Sequence, residues 1–146
     1  MVVISLTAPL KVGIYIDDRL IKEYISQEQT SEVLPKIFNE IFLNYNCKKI
    51  FFANGPGSFM AIKVTFIFLR TLSITKNIEL LAVDGFYFNE NSPIKAMRDR
   101  YFAKEGDKIV IRSFKDTELK EFKLPKTLKE KDFSSKIEPL YILPAV

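Results

Sequence analysis

A glycine-rich corner in the middle of the chain is the first candidate for a binding or catalytic site. It lies between Phe51 and Ser73, FFANGPGSFMAIKVTFIFLRTLS, where a short apolar run precedes the corner and a long apolar run follows it. This order predicts a strand, a tight loop and a helix, the arrangement whose backbone N–H groups bind phosphate in many nucleotide-dependent proteins. The loop is therefore tested first for nucleotide-binding motifs.

The corner lacks both of the common nucleotide-binding motifs. A Walker A loop needs Gly, Lys and Ser or Thr at positions 60–62, which here are Met-Ala-Ile. The dinucleotide fingerprint also needs a glycine at position 60. We predict instead that Gly55, Pro56 and Gly57 turn the chain and that Ser58 caps the helix, with an anion at the helix N-terminus as the alternative.

The composition excludes several kinds of catalytic site. The chain has no histidine and a single cysteine, Cys47, which leaves no Ser-His-Asp or Cys-His nucleophile, no imidazole ligand for zinc and no internal disulfide. The remaining candidates are carboxylates working with magnesium, such as Asp17, Asp18 and Asp84. Their positions at a predicted hairpin turn and at a strand end favour turn and cap roles over metal binding.

The helix predicted after the corner is apolar on more than one face. Its apolar residues are Phe59, Met60, Ile62, Val64, Phe66, Ile67, Phe68, Leu69 and Leu72. Lys63 and Arg70 lie on one narrow polar edge. Because a surface helix of a lone domain needs one apolar face, the second face predicts contact with another protein. The alternative is that the C-terminal part of the chain folds over it.

The segments around this helix predict a mixed α/β sheet. The runs MVVISL, KVGIYI and RLIKEYI predict three strands in an antiparallel meander. TSEVLPKIFNEIFLNYN repeats apolar residues at spacings of three and four, which predicts an amphipathic helix with Thr30 or Ser31 as N-cap. CKKIFFAN and IELLAV predict two further strands, which are parallel because helices connect them.

The alternation of predicted strands and helices ends at Asp84. The segments on either side of Lys104-Glu105-Gly106-Asp107 predict a β-hairpin. We therefore predict an α/β lobe over residues 1–88 and a reduced C-terminal lobe over residues 89–146.

The excess of positive charge lies in residues 95–136, which hold thirteen basic and eight acidic side chains; the net charge of the whole chain is +4. Aromatic residues interleave with the lysines there: Tyr101, Phe102, Phe114, Phe122 and Phe133. This pattern raises an RNA-binding surface as one interpretation, although a solvated lysine-rich surface is favoured. No apolar run reaches the roughly 20 residues that cross a bilayer, and the start lacks a secretory signal pattern, so we expect no membrane contact and a cytoplasmic protein.

The sequence GPGSFMAIKVTFIFLRTLS resembles the GPGSFTG signature of the TsaB (YeaZ) family, the companion subunit in bacterial tRNA threonylcarbamoyladenosine synthesis. Gly55, Pro56, Gly57, Ser58 and Phe59 match this signature residue by residue, whereas the following Met-Ala replaces Thr-Gly and a lysine replaces the usual arginine. VVISLTA, KVGIYIDDRLI and TSEVLPKIFNEIF resemble the family's first strand, hairpin and first helix, and EPLYILP resembles its tail. The resemblance covers residues 1 to about 84 well and the remainder loosely.

The resemblance implies an actin-like, ribonuclease-H-like mixed sheet with helices and a reduced second lobe. It also implies a subunit without its own catalytic residues, metal or cofactor, because actin-like ATPases carry Asp at the end of the first strand, where Leu6 stands here. The implied role is to bind and activate a TsaD-like catalytic subunit that modifies the adenosine next to the tRNA anticodon. A TsaE-like ATPase, a homodimer of the isolated chain and indirect contact with tRNA are further partner expectations.

The expected interface combines the surplus apolar face with the family's use of its first two helices. Its residues are Leu34, Ile37, Phe38, Ile41, Phe59, Ile62, Lys63, Phe66 and Arg70. The alternative function is a small actin-fold phosphotransferase or ATPase that uses the Gly-Pro-Gly loop and Asp84 or Asp17 with magnesium.

Overall fold

The β-branched segments of the first half form one five-stranded sheet in the computed structural model, which describes residues 1–113 and 119–142. In chain order the strands are β1 (Val2–Ile4), β2 (Leu10–Ile16), β3 (Arg19–Ser26), β4 (Lys49–Ala53) and β5 (Glu79–Val83). Across the sheet the order is β3-β2-β1-β4-β5. The first three strands pair antiparallel, whereas β4 is parallel to β1 and β5. The predicted meander and parallel portion are both confirmed.

The turn between β2 and β3 contains two of the candidate carboxylates. Ile16 pairs with Arg19, so that Asp17 and Asp18 alone connect the strands. Both aspartates have positive φ, 52° and 64°, as the favoured two-residue hairpin turns require. Aspartate tolerates this left-handed backbone better than most residues, which explains the pair at this place.

Two helices, α1 (Thr30–Asn44) and α2 (Phe59–Lys76), cover one face of the sheet. Side chains of adjacent β1 residues point to opposite faces, and Val3 joins the hydrophobic cluster under the helices while Val2 joins the cluster on the other face. The apolar stripe of α1 and Leu69 of α2 complete the cluster under the helices. Within the described residues, no helix is both long and apolar enough to cross a bilayer.

A second sheet lies on the other face of the first. Its strands are β6 (Ile94–Met97), β7 (Arg100–Glu105) and β8 (Lys108–Ser113), in the order β6-β7-β8. The pair β7–β8 is the predicted hairpin, and β6 adds a third strand. Residues 119–142 contribute Phe122, Leu124 and Leu128 to the shared hydrophobic cluster without forming a strand of their own. The predicted division into lobes 1–88 and 89–146 stays a prediction.

Three of the five aromatic residues considered for RNA binding are buried. Phe102, Phe122 and Phe133 are buried in the cluster between the two sheets, so their interpretation as base-stacking residues is wrong. They are buried because they pack against the apolar side chains of the large sheet's second face, such as Val2, Ile4 and Phe51. Tyr101 is half-buried, and Phe114 lies outside the described residues.

Candidate partner interface

The glycine-rich loop is bound to three other parts of the chain through its backbone. The N–H of Ser58 donates to the carbonyl of Leu6 at 2.8 Å, at the end of β1. The carbonyl of Gly55 accepts from the N–H of Gly85 at 2.9 Å, and the carbonyl of Asn54 accepts from the N–H of Leu140 at 2.8 Å. The loop therefore joins β1, the segment after β5 and the C-terminal tail.

Glycine is required at both ends of this loop by close backbone contacts. A Cβ atom on Gly57 would lie 2.7 Å from the carbonyl oxygen of Leu6. A Cβ atom on Gly55 would lie 2.6 Å from the carbonyl oxygen of Leu140, and the φ of Gly55 is +132°. These contacts give the Gly-Pro-Gly signature a structural reason that needs no phosphate ligand.

The end of the loop starts α2. Ser58 is the N-cap, and its Oγ accepts a hydrogen bond from the N–H of Ala61 at 3.4 Å, which confirms the predicted cap. Ser5 directly follows β1. Its Oγ accepts a hydrogen bond from the hydroxyl of Thr65 in α2 at 3.0 Å. The same Oγ lies 3.2 Å from the hydroxyl oxygen of Thr30 in α1. These three hydroxyls, which sequence reasoning missed, connect both helices to the end of the first strand; Ser5 and Thr65 are buried and Thr30 is half-buried.

The structure shows the surroundings of Leu6, which stands where actin-like ATPases carry Asp, and of Asp84, a candidate carboxylate for magnesium. Leu6 is fully buried in the cluster between the sheets. Asp84 uses one oxygen to accept the N–H of Phe86 at 3.0 Å and the other to bind the ammonium of Lys104 at 2.7 Å. Asp84 therefore caps the short helix Gly85–Phe88, as the sequence favoured, and the structure adds its ion pair with Lys104.

The four interface residues expected from α1 lie in the core of the chain. Leu34, Ile37, Phe38 and Ile41 are all buried beneath the helix against the sheet. Their assignment to a partner surface is corrected for a physical reason: α1 has one apolar stripe, and the sheet uses all of it.

The residues expected from α2 divide between the core and the surface. Ile62 is buried, and Phe66 is half-buried against the core. Phe59 is exposed, although its ring packs against Tyr141 of the tail with centroids 4.6 Å apart. Lys63 and Arg70 are exposed.

The outer face of α2 is a continuous exposed stripe. It consists of Met60, Lys63, Ile67, Arg70 and Ile74, which follow one another at alternating spacings of three and four residues. Its three apolar side chains are 65%, 55% and 69% exposed, respectively. Sequence reasoning missed these three as interface residues, and their seven-residue repeat was the available signal.

The C-terminal tail covers only the beginning of this helix. Leu140, Tyr141 and Ile142 border an apolar cleft of about 460 Å³ beside the first turn of α2. Ile67 and Ile74, further along the helix, do not line this cleft. The described part of the tail therefore lies beside Met60 but leaves Ile67 and Ile74 uncovered.

No protein-family model and no curated protein sequence matches this chain. Among solved structures, YeaZ from Pseudomonas aeruginosa has a TM-score of 0.58 and 13% sequence identity, over 77% of this chain and 63% of that chain. The fold is that of YeaZ. A second structure, an uncharacterised protein described as similar to peptidase YeaZ from Pseudomonas aeruginosa, has a TM-score of 0.55 and 14% identity, over 77% of this chain and 62% of that chain.

The YeaZ match confirms the resemblance that the loop signature predicted, and it fits the predicted actin-like fold. At this identity the match establishes the fold. The chain spans less than two thirds of the length of either YeaZ-like structure.

Proposed function

We propose that this chain is a non-catalytic subunit that docks on a TsaD-like enzyme and activates it for threonylcarbamoyl modification of tRNA. The proposal rests on the resemblance of the Gly-Pro-Gly-Ser-Phe signature to the TsaB family, on the YeaZ fold and on the surface of α2. In this proposal the complex is cytoplasmic, and tRNA is contacted through the catalytic subunit.

The observation that carries the proposal is the uncovered stripe on α2. Met60, Ile67 and Ile74 each expose more than half of an apolar side chain. Apolar groups repeated along one helix face are buried when a second helix packs on it. A partner helix is therefore a better explanation of this pattern than a small-molecule ligand.

The surroundings of Leu6 and Asp84 support a subunit without its own chemistry. Leu6 has no group to bind a metal-bound water, and both carboxylate oxygens of Asp84 already accept hydrogen bonds from the chain. The ATPase alternative has no comparable observation in its favour. Addition of a TsaE-like ATPase and formation of a homodimer stay predictions.

The deciding experiment measures binding of the purified chain to the TsaD-like subunit of the same organism by calorimetry. Ile67→Glu places a charge at the centre of the stripe, and we expect it to weaken binding by about 2 kcal/mol or more. The matched control is Ile25→Glu, because Ile25 on β3 is 59% exposed and Ile67 is 55% exposed. The control should bind like the wild type.

Two results would contradict the proposal. The first is absence of binding between the wild-type chain and a folded TsaD-like subunit. The second is equal binding by Ile67→Glu and Ile25→Glu, which would remove the α2 stripe from the interface. Circular dichroism of both variants verifies that they are folded.

A further inference from the structure

A cleft of about 450 Å³ is lined by residues of both sheets. Its walls are the turn between β1 and β2, the start of β6 and the segment 119–122. We call it the lysine cleft, because Lys11, Lys95 and Lys120 line it. No residue of α2 lines the cleft, so it is separate from the exposed stripe of that helix. Its volume is typical of sites for small molecules.

Lys11 brings a half-buried positive charge to the lysine cleft. Its ammonium group donates a hydrogen bond to the carbonyl oxygen of Phe122 at 2.6 Å. Among the residues that the structure describes, Lys11 forms no ion pair. An ammonium group has three N–H donors, and a charge withdrawn from water without a counter-charge is unfavourable. An anion in the cleft would compensate this charge.

Lys95, in β6, adds a second cation to the same cleft. It is exposed and forms neither an ion pair nor a side-chain hydrogen bond with another described residue. Lys120, in contrast, is already paired with Glu90 at 2.7 Å. Glu121, which also lines the cleft, forms no ion pair with either of the other two lysines. The cleft thus offers two cations to an anion.

A buried acceptor in the cleft indicates a second group on the ligand. Asn89 lines the cleft and is 2% exposed. Its Nδ2 donates to the carbonyl oxygen of Ser92 at 3.0 Å, whereas its Oδ1 has no hydrogen-bond partner among the described residues. Buried polar atoms in native proteins nearly always have a partner. A hydroxyl or amino group of a ligand would supply the missing donor.

The remaining walls of the lysine cleft include apolar side chains. Pro9 lies in the turn between β1 and β2, Ile94 begins β6, and Leu119 lies on the third wall. Such walls favour a ligand with a hydrocarbon body over an inorganic ion, because contact with them removes apolar surface from water.

We infer that the lysine cleft binds a small organic anion, a carboxylate or a phosphate ester, whose apolar body carries a hydroxyl or amino group. The anionic group binds Lys11 and Lys95, and the hydroxyl or amino group donates to Oδ1 of Asn89. This inference goes beyond the proposed function and does not depend on it, because the cleft and the α2 stripe share no residue.

The first test measures the affinity of the purified chain for 3-hydroxybenzoate and 3-hydroxyphenyl phosphate by calorimetry. The two probes share a ring and a hydroxyl group, so their relative affinities identify a carboxylate or a phosphate as the preferred anion. Benzoate and phenyl phosphate lack the hydroxyl group, and we expect each to bind about tenfold more weakly than its hydroxylated counterpart. Absence of binding by both hydroxylated probes, or equal affinity with and without the hydroxyl group, would overturn the inference.

The second test removes the cations one at a time. Lys95→Gln removes a charge that has no described partner in the chain, and we expect about a tenfold loss of affinity for the better probe. The matched control is Lys108→Gln, an exposed lysine of β8 that does not line the cleft. Lys11→Met keeps most of the aliphatic stem and should also lose about tenfold. Circular dichroism verifies that the variants are folded.

Equal affinity of the wild type, Lys95→Gln and Lys11→Met for the probe would overturn the inference. Binding to the TsaD-like subunit distinguishes this failure from a failure of the proposed function. Lys95→Gln should bind that subunit like the wild type, because Lys95 lies outside the α2 stripe.

Discussion

The N–H of Ser58 donates a 2.8 Å hydrogen bond to the carbonyl oxygen of Leu6 and so ties the start of α2 to the end of β1. Gly57, the last residue of the Gly-Pro-Gly corner, passes so close to Leu6 that no side chain fits. The direction of α2, and with it the exposure of its outer stripe, is therefore set at this contact. The loop positions a surface and need not bind a ligand to do so.

The contact at Leu6 predicts the effect of filling the space at Gly57. In Gly57→Ala the added methyl would lie 2.7 Å from the carbonyl oxygen of Leu6, and a buried strand end cannot move away easily. We expect the free energy of unfolding, measured with urea, to fall by about 2 to 3 kcal/mol. Gly106→Ala is the control: it has no neighbour within 4 Å, so its loss is limited to the strain of its φ of +63°, about 1 kcal/mol. Equal losses would contradict the steric account.

The two helices show what hydrophobic periodicity can and cannot predict. Their existence, their order and the sheet beneath them followed from spacing alone. The single stripe of α1, including Phe38, had to face the sheet, whereas α2 has apolar residues beyond those the sheet can cover. Assigning Phe38 to a partner interface was wrong because it required the single apolar stripe of α1 to contact both the sheet and a partner. The surplus on α2 was readable from Met60, Ile67 and Ile74 at intervals of seven.

Other features were beyond prediction because they depend on contacts between distant segments. Phe122 and Leu128 cover the second face of the large sheet although neither residue lies in a helix or a named strand. The N-cap of α1 is Gln29, with no side-chain cap hydrogen bond. Thr30, one of the predicted caps, instead lies with its hydroxyl beside Ser5. Such contacts leave no signal in local sequence.

The corrected position of Phe38 gives a stability prediction. Phe38 is fully buried and makes edge contacts with the rings of Phe42 and Phe68 at 5.8 and 5.1 Å. Phe38→Ala should lower the free energy of unfolding by about 3 to 5 kcal/mol. Leu43→Ala on the same helix should change it by about 0.5 kcal/mol or less, since Leu43 is 80% exposed. Urea unfolding measures both, and similar losses would show that Phe38 is not a core residue.

Two substitutions of Asp84 separate the stability contributed by its helix cap from the stability contributed by its ion pair. Asp84→Asn keeps an oxygen for the N–H of Phe86 but loses the charge beside Lys104, and we expect a loss of about 1 kcal/mol or less. Asp84→Ala also removes the cap and should lose about 1 kcal/mol more. Thermal unfolding of the wild type and of Asp84→Asn, each with and without magnesium and ATP, tests the ATPase alternative. Stabilisation of the wild type that is lost in Asp84→Asn would favour the ATPase alternative instead.

Tyr87 predicts how stability depends on pH in the alkaline range. Burial, together with the hydrogen bond from its hydroxyl to the Asp132 carboxylate at 2.8 Å, raises the pKa of Tyr87 to about 12, from 10.0. The folded chain thus keeps this proton over a range where the unfolded chain loses it, so the free energy of unfolding should fall as pH rises from about 10 to about 12. Tyr87→Phe should show a smaller fall, and other groups contribute to the remainder, among them Tyr15, whose pKa is raised by burial, and Lys49, whose pKa is raised by its hydrogen bond to Glu130. Urea unfolding at about pH 8 and about pH 11 tests this, and equal falls in variant and wild type would contradict it.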